Sequence, residues 1–231
     1  MKMIGMLGGM SWESSAVYYR IINREVQKRL GGVHSARTLM YSFDFDEMAG
    51  LQKSGRWKEA DDRMTTAAVN LEKSGADFIM ICCNTMHCSS VEMEKALKVP
   101  LLHIADPLGQ AIRKAGLARP ALLGSEFTMN QDNIIRGKLK SEYGLEVITP
   151  EGADFDEVSR VIYDELVRGK FLESSRANYR EVIAKLVAKG ADCVILGCTE
   201  LPLLVMEKDS TVPLFDTTTL HAMAAVDLAL I

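Results

Sequence analysis

One stretch of the sequence occurs twice. It reads GADFIMICCNT at residues 75–85 and GADCVILGCTE at residues 190–200, and the two copies align without a gap. The alignment places Cys83 on Cys198. Two shorter matches keep this order and nearly this spacing: residues 6–9 with 122–125, and residues 99–102 with 212–215. Three colinear matches, each offset by about half the chain, indicate an internal duplication and predict two similar domains related by a pseudo-twofold axis.

Short apolar runs alternate with longer amphipathic stretches around this repeat. The apolar runs predict strands at 3–7, 37–43, 77–82, 101–104, 121–123, 145–148, 192–196 and 213–215. The amphipathic stretches predict helices at 14–30, 57–73, 88–97, 132–143, 157–168 and 176–189. Strands that are apolar throughout are typical of sheets buried on both faces. The alternation therefore predicts an α/β fold with parallel sheets flanked by helices, and Gly75 and Gly190 are predicted to end helices.

The composition argues against several classes of partner. The chain has 27 Lys and Arg against 31 Asp and Glu, a formal net charge of −4, and the basic residues are scattered. This balance offers no positive surface for a phosphate backbone, so we expect no nucleic-acid partner. The apolar runs are far shorter than the ~20 residues of a membrane span, so we expect no membrane association. The N-terminal run at 1–7 is interpreted as a buried strand rather than a signal peptide.

The cysteine count points to a reducing compartment. The chain has five cysteines, an odd number, and is long enough to bury its own core. A disulfide framework is therefore not expected, and we predict a cytoplasmic protein whose thiols are available for chemistry.

Cys83 follows the predicted strand 77–82 directly, and Cys198 follows the predicted strand 192–196 after one glycine. In parallel α/β domains, ligands collect beyond the carboxyl ends of the strands, so the pseudo-symmetry predicts one thiol on either side of a cleft between the domains. A nearby helix N-terminus would lower the pKa of each thiol from ~8.5 towards neutral, and its amides could bind a substrate carboxylate. The polar residues near the two thiols that could also contact substrate are Asn84, Thr85, Ser125, Thr128 and Thr199.

Two equivalent thiols suit one symmetrical reaction. A thiolate on one face of a carbon can remove a proton while a thiol on the other face returns one, which inverts the stereocentre. Other interpretations of the cysteines are less favoured: core packing, a metal site built from Cys82, Cys83, His87 and Cys88, and a redox pair of Cys83 and Cys198. Adjacent cysteines reach one ion with difficulty and no C-x2-C spacing occurs, so we expect no metal. Cys82 and Cys193 are predicted to be core residues, and Cys88 could be either.

Glycines follow the first predicted strand. The turn at Gly5-x-x-Gly8-Gly9 lacks the spacing and the lysine of nucleotide-binding loops, so it is interpreted as a tight turn that lets a small ligand approach the backbone. Met10 and Ser11 follow at the entry to the next helix and are candidate substrate-binding residues. Ser11 is a candidate helix cap, ligand donor, or both. Of the four histidines, His87 could influence the thiol of Cys83, whereas His103 is interpreted as a core residue and His34 and His221 as incidental.

Three motifs together resemble the aspartate/glutamate racemase family. They are GMLGGM at 5–10, CNTMH at 83–87 and GCTE at 197–200, and the resemblance extends over nearly the whole chain. It implies a two-domain α/β protein that racemises amino acids without pyridoxal phosphate or any other cofactor, as a homodimer. It also implies that the chain crosses between domains near Val99 and returns at its C-terminal end, which gives a first domain of 1–98 plus 208–231 and a second of 99–207.

The resemblance also implies roles for individual residues. Cys83 and Cys198 would be the two bases. Asn84, Thr85 and Thr199 would hold the carboxylate and ammonium of an amino-acid substrate, and Glu200 would orient the ammonium.

The sequence departs from typical aspartate racemases where those enzymes bind a second carboxylate. Their loop after the second strand carries an arginine, but residues 42–48 read SFDFDEM, and the expected lysine position after Tyr163 is Val167. The chain therefore resembles more the broad-specificity amino-acid racemase branch found in enteric bacteria, in which Gln52 would line the side-chain pocket. Two other classes remain open: a sister enzyme, such as a hydantoin racemase, maleate isomerase or decarboxylase using one thiol, and a non-catalytic carboxylate-binding protein.

Overall fold

The chain divides into two compact units. The computed structural model describes residues 1–231, with residues 1–104 and 221–231 in unit 1 and residues 105–220 in unit 2. The units thus divide the chain at 104/105 and 220/221, whereas the predicted domains divide it at 98/99 and 207/208.

Unit 1 has a four-stranded parallel sheet. Its elements are β1 (Ile4–Gly8), α1 (Trp12–Leu30), β2 (Thr38–Ser42), α2 (Phe45–Lys53), α3 (Trp57–Lys73), β3 (Phe78–Ile81), a 3-10 turn (Thr85–Ser89), α4 (Ser90–Ala96) and β4 (Leu101–Leu102). The strand order is β2-β1-β3-β4. The inner strands β1 and β3 are buried over their whole length, as their apolar sequences predict.

Helices cover both faces of this sheet. Successive side chains of a strand point to opposite faces, so a strand that is apolar throughout has apolar side chains on both faces to bury. Leu7, Ile79 and Ile81 lie in one hydrophobic cluster, with residues of α2, α3 and α4. Ile4, Met6, Phe78 and Met80 lie in another, with residues of α1 and of the C-terminal segment 222–229.

Unit 2 has a three-stranded parallel sheet in the order β5-β6-β7. Its elements are α5 (Ala105–Lys114), β5 (Pro120–Gly124), α6 (Glu126–Asn130), α7 (Arg136–Tyr143), α8 (Ala153–Asp164), a 3-10 turn (Leu166–Arg168), α9 (Glu173–Ala188), β6 (Cys193–Gly197), α10 (Leu201–Leu204), a 3-10 turn (Glu207–Asp209), β7 (Leu214–Asp216) and α11 (Thr217–Ala229). The unit boundary falls within α11.

The two sheets repeat one topology, which confirms the α/β fold and the duplication. β5, β6 and β7 take the places of β1, β3 and β4. The place of β2 is taken by Ile148, which forms a single parallel bridge to Ala121. The strand predicted at 145–148 was therefore wrong as a full strand. Ile148 bonds to Leu122 and Pro120 at 2.8 and 3.0 Å, and Glu146 N donates to Ala118 O at 2.9 Å just before β5, but only Ile148 forms a bridge.

Most predicted elements are confirmed, with shifts at their ends. The segment 88–97, predicted as one helix, is the end of a 3-10 turn followed by α4, and the helix predicted from 132 begins at Arg136. Five helices were not predicted: α2, α5, α6, α10 and α11.

The repeated glycines end helices, as predicted. Gly75 and Gly190 follow α3 and α9 and have positive φ angles of 99° and 96°, which glycine adopts without strain. The next amide in each copy closes the helix end: Ala76 N donates to Leu71 O at 3.0 Å, and Ala191 N to Leu186 O at 3.0 Å.

The repeated aspartates hold the starts of strands. The Asp77 carboxylate accepts the Met3 amide just before β1. The Asp192 carboxylate accepts the amides of Ala118 and Arg119 just before β5, at 2.7 and 2.9 Å. The Gly-Ala-Asp part of the repeat therefore builds the fold, and only the residues after each strand are placed for chemistry.

Candidate active site

Cys83 lies just beyond the carboxyl end of β3. Cys83 is partly exposed, whereas the preceding Cys82 is fully buried. The 3-10 turn Thr85–Ser89 lies between Cys83 and the next α-helix, α4. A short 3-10 turn has a small dipole, so the predicted stabilisation of a thiolate by an α-helix N-terminus is weak at this position.

Cys198 lies at the equivalent place beyond β6 and is also partly exposed. Its Sγ donates to Glu200 Oε2 at 3.0 Å, and the Thr199 hydroxyl donates to the same oxygen at 2.7 Å. A carboxylate this close disfavours a second negative charge, so it stabilises the protonated thiol of Cys198. α10 follows and is four residues long, so its dipole is also small.

The remaining cysteines differ in environment from these two. Cys82 and Cys193 are fully buried, which confirms their prediction as core residues, and burial raises the pKa of both thiols. Cys88 is partly exposed, but burial of its thiol raises its pKa to about 12, so it is protonated at neutral pH. No group of three or more His, Cys, Asp and Glu side chains is arranged to hold a metal ion.

Asn84 presents a buried acceptor beside Cys83. The residue is 5% exposed, and its Oδ1 is buried without a hydrogen-bond partner. Because an unsatisfied buried acceptor is costly, this oxygen is suited to receive a donor from a ligand. Thr85 is buried next to it, at the start of the 3-10 turn.

Met10, Ser11 and Gln52 lie in unit 1. Ser11 caps α1, because its Oγ accepts the Ser14 amide at 3.3 Å, which confirms the cap. Met10 is buried in the hydrophobic cluster against which Cys83 packs. The buried Gln52 contacts a member of that cluster, since its Nε2 lies 3.1 Å from Met86 Sδ.

Ser125 and Thr128 lie together at the start of α6. Ser125 is the N-cap of this helix, and its Oγ accepts the Thr128 amide at 3.3 Å and lies 3.1 Å from the Thr128 hydroxyl. Both side chains are buried. Their hydroxyls therefore serve the helix end as well as any ligand.

Close contacts with other segments of the chain explain the glycines after β1. A Cβ on Gly9 would lie 2.2 Å from Phe43 O, and one on Gly8 would lie 2.5 Å from Ser15 Oγ. Gly9 N donates to that Ser15 hydroxyl at 2.8 Å. The glycines therefore allow neighbouring segments of the chain to approach, and the approach of a small ligand to this backbone stays a prediction.

A buried histidine cluster was not predicted. His87, His103 and His221 are buried, with ring centroids of His103 and His221 at 4.7 and 5.6 Å from that of His87. His221 is not incidental, because its Nε2 donates to Leu102 O at 2.9 Å and its Nδ1 lies 3.1 Å from the Tyr18 hydroxyl. The spacing of four residues between Cys83 and His87 was the available signal, whereas nothing local points to His221.

The structure defines a class of protein: a duplicated α/β protein with a partly exposed cysteine beyond the equivalent strand of each half. A family model described as Asp/Glu/hydantoin racemase matches residues 7–225. The chain therefore belongs to this family of isomerases, which confirms the resemblance stated from the sequence.

Individual relatives agree with this assignment. The broad specificity amino-acid racemase RacX of Bacillus subtilis is 27% identical over 237 residues, 97% of this chain and 96% of the relative. A crystal structure from Yersinia pestis, provisionally described as an Asp/Glu racemase, is 48% identical with a TM-score of 0.94 and full coverage of both chains. An aspartate racemase homologue from Pyrococcus horikoshii is 31% identical with a TM-score of 0.85, again over both full chains. No helix of this chain has the length and apolar character needed to cross a membrane.

Proposed function

We propose that the protein is a cofactor-independent amino-acid racemase in which Cys83 and Cys198 are the two bases at Cα. One observation carries the proposal: in a racemase-family chain, the two thiols lie beyond equivalent strands and are both partly exposed. The other cysteines are buried or, for Cys88, held protonated by a raised pKa.

The reaction conserves protons. The thiolate of one cysteine takes the Cα proton, and the C–H electron pair remains on the substrate as a carbanion. The thiol of the other cysteine then gives its proton to the opposite face of that carbon. Each turnover exchanges the protonation states of the two cysteines, and turnover in the reverse direction restores them.

Glu200 sets the resting state in this scheme. Its carboxylate accepts a hydrogen bond from the Cys198 thiol at 3.0 Å, which favours the protonated form of Cys198. Cys198 is then the proton donor of the resting enzyme, and Cys83 is the thiolate. A substrate ammonium bound by Glu200 would offset its negative charge and permit the opposite assignment. The role expected from the family resemblance, orienting the ammonium, is therefore compatible with control of the Cys198 proton.

The neighbouring polar groups would hold the substrate. Asn84 Oδ1 is an acceptor without a partner, which suits an ammonium group. The Thr199 hydroxyl gives its proton to Glu200, so in this conformation it can accept from an ammonium but has no proton for a carboxylate. We assign the carboxylate to Thr85, with Ser11, Ser125 and Thr128 as further candidate donors.

We propose broad specificity in which acidic amino acids are not preferred. Asp44, in the loop that carries arginine in typical aspartate racemases, is the N-cap of α2 and accepts the Asp46 amide at 3.0 Å. The exposed Arg56 pairs with Glu59. Met10 and Gln52 would line a side-chain pocket of mixed character. The Bacillus subtilis relative, a broad specificity racemase, supports this choice.

The test is exchange of the Cα hydrogen in deuterated water, followed by NMR together with loss of optical purity, for a panel of L- and D-amino acids without added cofactor. We expect racemisation of several amino acids by the wild type and none by Cys83→Ser or Cys198→Ser. Cys88→Ser is the matched control and should racemise like the wild type. Turnover of aspartate alone would contradict broad specificity.

Other results would favour the alternative functions. Activity that survives Cys198→Ser but not Cys83→Ser would indicate a sister enzyme that uses one thiol, an outcome suggested by the unequal surroundings of the two cysteines. Tight binding of amino acids or dicarboxylates without exchange at Cα would indicate a binding protein.

We also propose that the protein acts as a homodimer in the cytoplasm. The support is the family resemblance and, for the compartment, the reliance on reduced thiols. Light scattering at micromolar concentration tests the dimer, and a mass of one chain would contradict it.

A further inference from the structure

His87 connects the backbone that carries Cys83 to the segment after β4. Its Nδ1 lies 2.8 Å from Cys83 O, and its Nε2 lies 3.1 Å from the Ile104 amide nitrogen. The side chain is fully buried, so water does not compete for either contact.

These two contacts determine where the ring proton lies. A backbone amide can only donate, so Nε2 must accept from Ile104 and carries no proton. The proton is then on Nδ1, which donates to the Cys83 carbonyl. Burial, together with the rings of His103 and His221, lowers the pKa of His87 well below its ordinary value. The ring is therefore neutral with a single tautomer, and a neutral ring with both nitrogens engaged is not a proton carrier.

We propose that His87 is a positioning residue that fixes the peptide group of Cys83, and with it the direction of the thiol, against Ile104. The inference rests on the proposed role of Cys83 as a base. A base must meet the Cα proton at a defined distance and angle, and small displacements cost large factors in rate. Cys83 is one of the three residues between β3, which ends at Ile81, and the 3-10 turn, which begins at Thr85, and His87 holds its carbonyl from within that turn.

Two substitutions separate the two bonds. The amide of asparagine reaches about as far as Nδ1, so His87→Asn retains a donor to the Cys83 carbonyl and loses the bond to Ile104. The amide of glutamine reaches about as far as Nε2, so His87→Gln retains an acceptor for Ile104 and loses the bond to Cys83. The matched control is His221→Gln, which alters an equally buried histidine of the same cluster that bonds to Tyr18 and Leu102 and not to Cys83.

The readouts are kcat and KM for racemisation, and the rates of alkylation of Cys83 and Cys198 by iodoacetamide, resolved by mass spectrometry. For His87→Gln we expect kcat to fall about 10- to 100-fold with KM within about twofold of wild type, and the Cys83:Cys198 alkylation ratio to change at least about fivefold. His87→Asn should restore both values to within about threefold of wild type, and His221→Gln should leave the alkylation ratio unchanged. Nitrogen chemical shifts of the wild-type protein should report a proton on Nδ1 of His87.

A purely structural role gives a different pattern. In that case His87→Gln, His87→Asn and His221→Gln lower stability alike and leave the alkylation ratio unchanged, which overturns the proposal. A proton on Nε2 of His87 in the wild type overturns it too, even where a variant fails to fold. If the wild type racemises nothing, the proposed function fails, whereas the alkylation ratio and the tautomer still decide whether His87 positions Cys83.

Discussion

Cys83 and Cys198 follow equivalent strands, β3 and β6, yet each has different neighbours. The peptide group of Cys83 is held by the neutral ring of His87, and the next residue, Asn84, carries a buried acceptor without a partner. The thiol of Cys198 itself donates to the carboxylate of Glu200. One site is thus constrained through its backbone, and the other through the charge beside its thiol.

The two copies of the repeat have kept one part in common and differ in another. The Gly-Ala-Asp segments perform the same structural task in both halves, because Gly75 and Gly190 end helices and Asp77 and Asp192 hold the starts of strands. The residues after each cysteine have diverged. A symmetrical reaction therefore requires only that the thiols be placed equivalently, while each site can favour a different resting protonation state.

The largest effect should come from the thiols themselves. Cys83→Ser and Cys198→Ser should each lower kcat for racemisation by about 10²- to 10⁴-fold, the range of general acid-base catalysis. The double variant should be no slower than the worse single variant, since the two groups act as a unit. Polarimetry on the three variants checks this, and multiplicative losses would contradict a two-base mechanism.

Acid should destabilise unit 1 more than unit 2, because all four histidines lie in unit 1. Burial lowers the pKa of His221 from 6.5 to about 4, so below pH 6.5 the unfolded chain binds a proton that the folded chain does not. The stability from this histidine is complete above pH 6.5 and is lost as the pH falls to 4, by about 3 kcal/mol.

Hydrogen-exchange protection of β1 and β3 compared with β5 and β6, at pH 7.5 and pH 5, measures this difference. His221→Gln should reduce the difference between the two pH values, whereas His34→Gln, which alters an exposed histidine, should not. Equal loss of protection in both units would refute the assignment.

Removing the charge beside Cys198 should make its thiol more reactive. Glu200→Gln eliminates the repulsion between the carboxylate and a Cys198 thiolate, so alkylation of Cys198 should accelerate about tenfold, which corresponds to about 1.4 kcal/mol. Alkylation of Cys83 should not change. Glu207→Gln alters an exposed carboxylate nearby in sequence and serves as the control. Slower alkylation of Cys198 would mean that Glu200 promotes the thiolate instead.

The smallest effect on activity is expected at the repeated aspartates. Asp77→Asn and Asp192→Asn weaken charge-assisted bonds to backbone amides, so each should lower the free energy of unfolding by about 1 to 2 kcal/mol, more for Asp192, which accepts two amides. Racemisation should stay within about twofold of wild type. Urea unfolding measures the change, and a large loss of activity without loss of stability would place these residues in the reaction.

Much of the fold was predictable because its signals are local. Continuous apolar runs identify β1, β3 and β6, and glycines mark the helix ends before two of them. α6 and α10 have five and four residues, too short for a helical period to be recognised. The segment 145–148 resembles a strand in composition, but pairing depends on a neighbour, and only Ile148 bonds to β5.

The sequence by itself determined the duplication, the α/β class and the two cysteines, since repeats, periodicity and strand ends are properties of contiguous residues. Only the tertiary structure decided what surrounds them. It brought His221 to His87 and Tyr18 to His221, fixed the proton on Nδ1 of the His87 ring, and placed the Glu200 carboxylate against the Cys198 thiol. Burial and hydrogen-bond geometry set tautomers and charge states, and both arise only when distant segments pack together.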